Sequence, residues 1–302
     1  MSGSAESYAP QSLDGREAGS YAGSMTVPPV PTVTLNSGHT IPQLGFGVFQ
    51  VPPEATEEAV AHALEAGYRH VDTAAAYRNE EGVGRALAAS GIARDQLYVT
   101  TKLWNADQGF DTALRAFERS REKLGLDVVD LYLIHWPTPA RDRYVDSWRA
   151  LERLQSEGAV RSIGVSNFQP PHLRRLFAET GVVPAVNQIE LHPLLQQAEL
   201  RAFHAEHGIA TEAWSPLAQG AVLDEPALAA IAAAHGRSPA QVVLRWHLQL
   251  GSVVIPKSVT PARIAANRDI FDFELSDAQM ASIATLERGR RTGPDPDTME
   301  VV

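Results

Sequence analysis

Between residues 40 and 290 the apolar positions follow two alternating rhythms. Short runs rich in β-branched residues recur as LGFG (44–47), RHVDTA (69–74), LYVTTK (97–102), VVDLYLIH (128–135), RSIGVSN (161–167), AVNQIE (185–190), IATEAWS (209–215) and SVVIPKS (252–258). Runs of this length, bounded by turn residues, predict strands. Between them lie longer stretches that are apolar at every third and fourth position, including ATEEAVAHALEAG, EEGVGRALAASG, DTALRAFERSREKLG, YVDSWRALERLQSEG and PAQVVLRWHLQLG. That spacing predicts amphipathic helices, each stopped by a glycine. Upstream, VTLNSGHTIP predicts a small hairpin turning near Ser37 and Gly38.

Eight strands separated by helices close best as an α/β fold of the (β/α)8 TIM-barrel type, because right-handed crossovers then cover the whole outside of a parallel sheet. An open doubly wound sheet would need a phosphate-cradling glycine loop after its first strand, and GFGVFQ is not one. No linker divides the middle of the chain, so one barrel domain is expected over 32–290. Residues 1–31 mix Ser, Gly, Pro and Ala without period and read as a disordered leader or expression-derived extension, with Met25 a candidate natural start. Residues 291–302 read as an irregular tail that lies across a surface or over a pocket.

Composition narrows the chemistry. The 302 residues carry 36 acidic against 26 basic side chains, a formal charge of -10, which opposes a broad grip on nucleic acid or anionic lipid. The absence of cysteine excludes disulfides, thiolate metal sites and cysteine nucleophiles. No run reaches the roughly 18 apolar residues of a membrane span. A cytoplasmic protein is expected.

In such barrels reactive groups stand at the carboxyl ends of strands. Asp72 ends the second strand, Tyr77 sits in the loop after it, Lys102 ends the third strand and His135 the fourth. Singly, a tyrosine packs, a lysine is solvated and an aspartate caps a helix; their shared location favours a common function. A buried Lys102 neutralised by Asp72 would lower the pKa of the Tyr77 phenol and make it a usable proton donor. His135 would orient a carbonyl oxygen. Hydride must then come from a nicotinamide or flavin, since no side chain supplies it.

The second half offers a berth for one. Ser166 and Asn167 end the fifth strand and Gln188 lies in the sixth, with donors and acceptors suited to a carboxamide. Trp214 offers a stacking face. Trp214 as core filling and Asn167 as a helix cap are equally compatible with the sequence. Lys257 and Ser258 end the eighth strand, Pro261 opens a helix and Arg263 lies on its first turn, a set that suits a phosphate such as the 2'-phosphate of NADPH.

Taken together, GYRHVDTAAAYRNEEGVGRAL, KLWN, DLYLIHWP, IGVSNF, NQIELHP, AWSPLAQG and IPKSVTPARIAAN resemble, in order and interval, the aldo-keto reductases, in particular their bacterial 2,5-diketo-D-gluconate reductase-like members. The resemblance runs from about residue 32 to about 290. It implies that Asp72, Tyr77, Lys102 and His135 form a catalytic tetrad with Tyr77 as general acid, that NADPH binds before substrate, and that aldehydes or ketones are reduced to alcohols without a metal. It assigns Ser166, Asn167 and Gln188 to the carboxamide, Trp214 to the nicotinamide face, and Ser215, Leu217 and Gly220 to the pyrophosphate segment. It assigns Lys257, Ser258 and Arg263 to the 2'-phosphate and Asn267 to the adenine. Ala266 stands where many members have glutamate, so one adenine contact is absent from the pattern.

By the same resemblance Phe49, Trp104 and Trp136 wall the substrate mouth. Asn105 and His192 are candidate polar accessories, His192 before Pro193 being equally placed to shape a turn, and Arg290 and Arg291 of the tail are candidates to attract carboxylates. The implied partner is a small carbonyl compound, and a monomer is expected. Two rival readings stand beside this one: a Schiff-base lyase or isomerase using Lys102 with phosphate bound near Lys257, and a nonenzymatic nicotinamide-binding regulatory protein of the same fold.

Overall fold

The structure, a computed structural model, describes residues 29–302, so nearly all of the expected leader, Met25 included, lies outside the described residues. Among the described residues, eight parallel strands follow in sheet order: β3 (Phe46–Gly47), β4 (His70–Asp72), β5 (Tyr98–Leu103), β6 (Val129–Ile134), β7 (Val160–Ser166), β8 (Val186–Glu190), β9 (Ala210–Trp214) and β10 (Val253–Val254). The first and last meet through a parallel bridge between Leu44 and Val254, with Gly45 N–H donating to Val254 O and Val254 N–H to Gln43 O, both at 2.9 Å. The sheet thus closes as the expected barrel.

Ten helices of the described chain accompany the strands: α1 (Pro53–Glu65), α2 (Glu80–Ala89), α3 (Phe110–Leu124), α4 (Tyr144–Ser156), α5 (Pro170–Glu179), α6 (Ala198–Glu206), α7 (Pro226–His235), α8 (Pro239–Gln249), α9 (Pro261–Arg268) and α10 (Asp277–Ala284). Their apolar stripes and the outward faces of the strands make the larger core, in which Trp148 and Trp246 are buried. Each such side chain withdrawn from water contributes on the order of 1.5–3 kcal/mol. A smaller core lies inside the barrel, where Tyr98, Leu131, Leu133, Val186 and Val253 meet Leu35 and Ile41. The last two come from the hairpin of β1 (Thr32–Thr34) and β2 (Thr40–Pro42), which plugs the amino-terminal end of the barrel.

The period of two along each strand decides what enters the barrel. His70 and Asp72 share one face of β4, Tyr98, Thr100 and Lys102 one face of β5, and Glu212 and Trp214 one face of β9. Small residues make the room: a Cβ on Gly45 would lie 2.5 Å from His70 Nδ1, and one on Gly164 2.7 Å from a Leu133 methyl. Two expectations change. The eighth strand stops at Val254, because Pro256 has no N–H for the ladder and only accepts, from Gly47 N–H at 3.2 Å; Lys257 and Ser258 therefore lie in the following loop. Asn167 is not the cap of α5; Gln169 stands at the N-cap position, its backbone N–H donating to His172 Nδ1 at 3.1 Å.

Candidate active site

Register brings the four strand-end residues to one mouth. β4 pairs with β5 so that Asp72 lies beside Thr100, and Lys102 sits one inward position further toward the opening. Its Nζ donates to Asp72 Oδ1 at 2.6 Å, to Thr73 O at 2.9 Å and to the Tyr77 hydroxyl at 3.4 Å. Tyr77 is delivered by a single 3-10 turn, Ala75–Tyr77, closed by Arg78 at φ 57°. His135 follows β6 directly, its N–H held by Leu103 O at 3.1 Å, and its ring meets that of Tyr77 edge-on at 5.6 Å.

Burial sets the protonation states. Lys102 is 0% exposed; burial opposes its charge, but Asp72 and Tyr77 outweigh it and the ammonium is held above its usual range. The Tyr77 phenol departs from expectation. Lys102 does pull it down, yet burial pushes harder, and the net shift is upward. The phenol is thus kept protonated, which is the form an acid needs. Burial and Lys102 push the His135 imidazole well below its usual range, so it is neutral.

The expected substrate wall surrounds these groups. Phe49, half exposed at 51%, lies 5.0 Å from the Tyr77 ring, Trp104 5.4 Å from His135, and Trp136 6.4 Å from both His135 and Trp214. Asn105 is buried and donates to Val301 O at 2.7 Å, so the tail reaches the mouth. His192 does not: it is buried against Glu190 at 3.0 Å and shapes the turn bridged to Leu195.

On the opposite side, Asn167 adopts φ 65° and spends its amide on His135 O at 3.0 Å and Ser166 Oγ at 3.1 Å, while its Oδ1 accepts from Trp214 Nε1 at 2.8 Å. Ser166 Oγ donates to Gln188 O at 2.8 Å. The chain links the nicotinamide-side candidates to the histidine. Gln188 is turned inward instead, its Nε2 donating to Asp72 Oδ2 at 2.8 Å and Glu212 Oε2 at 2.9 Å. Ser215 (φ 46°), Ala218 (φ 48°), Gln219 (φ 55°) and Gly220 (φ 95°) make a strained loop around the half-buried Leu217. Lys257 and Arg263 are exposed, and neither pairs with a described carboxylate. Ser258 Oγ accepts from Thr260 N–H at 3.1 Å ahead of α9, and Asn267 is buried on α9.

Three features escaped the sequence reading. Glu212 and His70 lie beneath Lys102 inside the barrel; two-residue spacing from Trp214 and from Asp72 was the signal for them. Glu190 clasps the tail, accepting from Thr292 Oγ1 at 2.6 Å, Thr292 N–H at 2.5 Å and Gly293 N–H at 3.3 Å. Burial opposes its charge, but bonds from His192 and Thr292 hold its carboxyl below the ordinary range. Gly293 is required there, since a Cβ would lie 2.4 Å from the Trp214 ring. Arg291 stands 3.9 Å from the same carboxylate, which leaves Arg290 as the less committed of the two tail arginines. Among the described residues no group of three or more His, Asp or Glu is placed to hold a metal ion.

The chain is similar to known proteins along most of its length. Residues 43–288 match the model of the Aldo/keto reductase family. An aldo-keto reductase of Mycolicibacterium smegmatis is 61% identical over 268 residues, covering 89% of this chain and 98% of that protein. A methylglyoxal reductase DkgA of Yersinia pestis is 56% identical over 269 residues, covering 88% and 96%. Among solved structures, an aldo/keto reductase of Brucella melitensis shares 57% identity at TM-score 0.83, covering 85% of this chain and 99% of its own. A point mutant of Gox0644, solved in complex with NADPH, shares 51% at TM-score 0.86, covering 89% and 98%. The chain belongs to the aldo/keto reductase family.

Proposed function

We propose that this chain reduces small aldehydes, ketones and 1,2-dicarbonyls of the methylglyoxal type to alcohols with NADPH. The observation that carries the reading is the water-excluded ammonium of Lys102, bonded at once to Asp72 and to the hydroxyl of Tyr77 at the foot of an aromatic mouth. The cofactor is supported by the NADPH found in the Gox0644 structure, and the substrate class by the name of the DkgA relatives.

The residues present fit a phosphorylated dinucleotide. Left-handed backbone at Asn167, Ser215, Ala218 and Gln219 is strain that persists where a site over-determines it. Trp214, anchored through Nε1, offers a ring for the nicotinamide, and Ser166 and Asn167 lie beside it. Gln188 contributes by its oxygen only, because its amide hydrogens are taken. Ser215, Leu217 and Gly220 would line the pyrophosphate; Lys257, Ser258 and Arg263 would meet the 2'-phosphate, and Asn267 the adenine. NADPH, when bound, supplies the hydride.

The chain's own groups supply everything else. Neutral His135 donates a hydrogen bond to the carbonyl oxygen and orients it. Tyr77 gives that oxygen its proton, and Lys102 stabilises the phenolate left behind, an interaction stronger in the transition state than before it. Asp72 keeps Lys102 charged. Phe49, Trp104 and Trp136 exclude water, which strengthens each of these contacts. The catalytic unit is one barrel domain over 32–290 with the tail 291–302 at its mouth, a placement supported by the tail's bonds to Glu190 and Asn105. A monomer suffices, since every named group comes from one chain. A cytoplasmic location belongs to the same reading, supported by the lack of cysteine; no helix among the described residues is long and apolar enough to cross a membrane.

The Schiff-base alternative needs a free, accessible amine on Lys102, whereas this one is sealed and held charged. The test is initial-rate NADPH oxidation over a panel of methylglyoxal, aromatic aldehydes and keto acids. Turnover strongest with dicarbonyls is expected; tight NADPH binding without turnover of any carbonyl would favour the regulatory reading instead.

A further inference from the structure

Beneath Lys102 there is more negative charge than its own ion pair uses. Asp72 and Glu212 are both buried, and a single nitrogen, Gln188 Nε2, donates to Asp72 Oδ2 at 2.8 Å and to Glu212 Oε2 at 2.9 Å. The two carboxyls are no further apart than those bonds laid end to end. Among the described residues one cation faces them. Lys102 is committed to Asp72 at 2.6 Å, while His70, whose Nε2 lies 3.7 Å from Glu212 Oε1, is neutral because burial pushes it down to about 3. The other titratable groups within reach of Glu212 are the phenols of Tyr98, from β5, and Tyr77. Two carboxylates and one ammonium without water leave an unsolvated negative charge, which a proton removes. Glu212 Oε1, buried with no hydrogen-bond partner, is the atom open to that proton. Burial and the neighbouring Asp72 push its carboxyl up to about 8.

We propose that Glu212 is a positioning residue for carbonyl reduction: it works in its protonated form, and through Gln188 and Asp72 it leaves the charge of Lys102 directed at the Tyr77 hydroxyl. Losing the proton adds a second carboxylate beside Asp72. The field at Tyr77 then turns against the phenolate, and Tyr77 becomes a poorer acid. This rests on the reduction proposed above, so its test includes a measurement that needs no activity.

That measurement is an infrared titration of the wild-type protein, following the carbonyl stretch of a buried carboxylic acid. The band should persist at neutral pH, vanish with a midpoint near 8, and be missing in Glu212→Gln. The second measurement is single-turnover reduction of methylglyoxal by the NADPH-loaded enzyme between about pH 6 and 9.5. The wild-type rate should fall roughly three- to tenfold across the titration of Glu212, a Brønsted response to a weakened acid. In Glu212→Gln that fall should disappear, leaving only the ionisation of Tyr77 at higher pH. No acid band at neutral pH, the same fall in both proteins, or a uniform loss at every pH would each overturn the proposal. Should Glu212→Gln fail to fold, carbon-13 NMR titration of glutamate-labelled wild-type protein decides whether a buried glutamic acid titrates near 8. Absence of any carbonyl reduction would remove the functional reading and the positioning role with it, while the titration would still report where the proton sits.

Discussion

Asp130 and Asp72 are both buried carboxylates facing a cation, one near the amino ends of the strands and one near the carboxyl ends. Asp130 accepts from Arg94 Nη2 at 2.6 Å and Val99 N–H at 2.8 Å, with Arg161 3.4 Å away. Its cations reach out to water, at 34% and 41% exposure. Lys102 at the other end is 0% exposed, and among the described residues its bonds go to Asp72, a backbone carbonyl and Tyr77. A vented pair is screened and holds structure together; a sealed pair keeps its field for whatever faces it. The comparison teaches that burial of the cation, rather than of the acid, separates the pair proposed for catalysis from the structural one.

The largest effect that would sharpen this contrast is loss of the group the sealed pair acts on. Tyr77→Phe should cut carbonyl reduction by up to about 10⁴-fold while NADPH affinity, read by fluorescence quenching, stays within about twofold; full turnover would break the assignment. Lys102→Met should lower the rate by about 10²-fold and, by leaving Asp72 without its cation, cost about 3–5 kcal/mol in urea unfolding. A fast, stable variant would show that the sealed pair is ordinary.

Next in size is a pH effect on stability. Glu212 is raised from 4.5 to about 8 in the folded chain, so the folded state binds more protons than the unfolded one between those values. Its contribution is therefore complete below about 4.5 and lost as pH rises through about 8, at up to about 1.4 kcal/mol for each pH unit crossed. Urea midpoints from about pH 5 to 8.5 should decline less in Glu212→Gln than in the wild type. At the vented end, Asp130→Ala should cost about 1–3 kcal/mol, chiefly the unpaired Val99 N–H, since Arg94 keeps its bonds to Leu97 O and Val128 O, and leave kcat within about twofold. A large loss of kcat there would erase the distinction between the ends. Outside both pairs, Arg263→Ala should weaken NADPH by about tenfold, one charge-assisted contact, and leave NADH unchanged.

How much of this was legible beforehand follows from what each signal depends on. All eight strands, the hairpin and the strand-end placement of Asp72, Tyr77, Lys102 and His135 were readable, because periodicity and strand ends are local. The end of the eighth strand was misjudged by four residues, although Pro256 marked it. Glu212 was missed although two-residue spacing from Trp214 put both on one face. Its importance arises from Gln188, a residue on another strand. The direction of the Tyr77 shift was misjudged because a list of neighbours shows the attraction of Lys102 but not the depth at which both are buried.

By itself, then, the sequence determined the alternation of elements, the family and the kinds of side chain that reach the mouth, since hydrophobic period and residue order act over a few positions at a time. Only the closed barrel decided which charges lose their water, which amide is already committed, and how Glu190 fastens the tail across Trp214. Those depend on distances between residues far apart in the chain. Electrostatic free energy is set by such distances and by the exclusion of solvent, and neither exists until the strands have met.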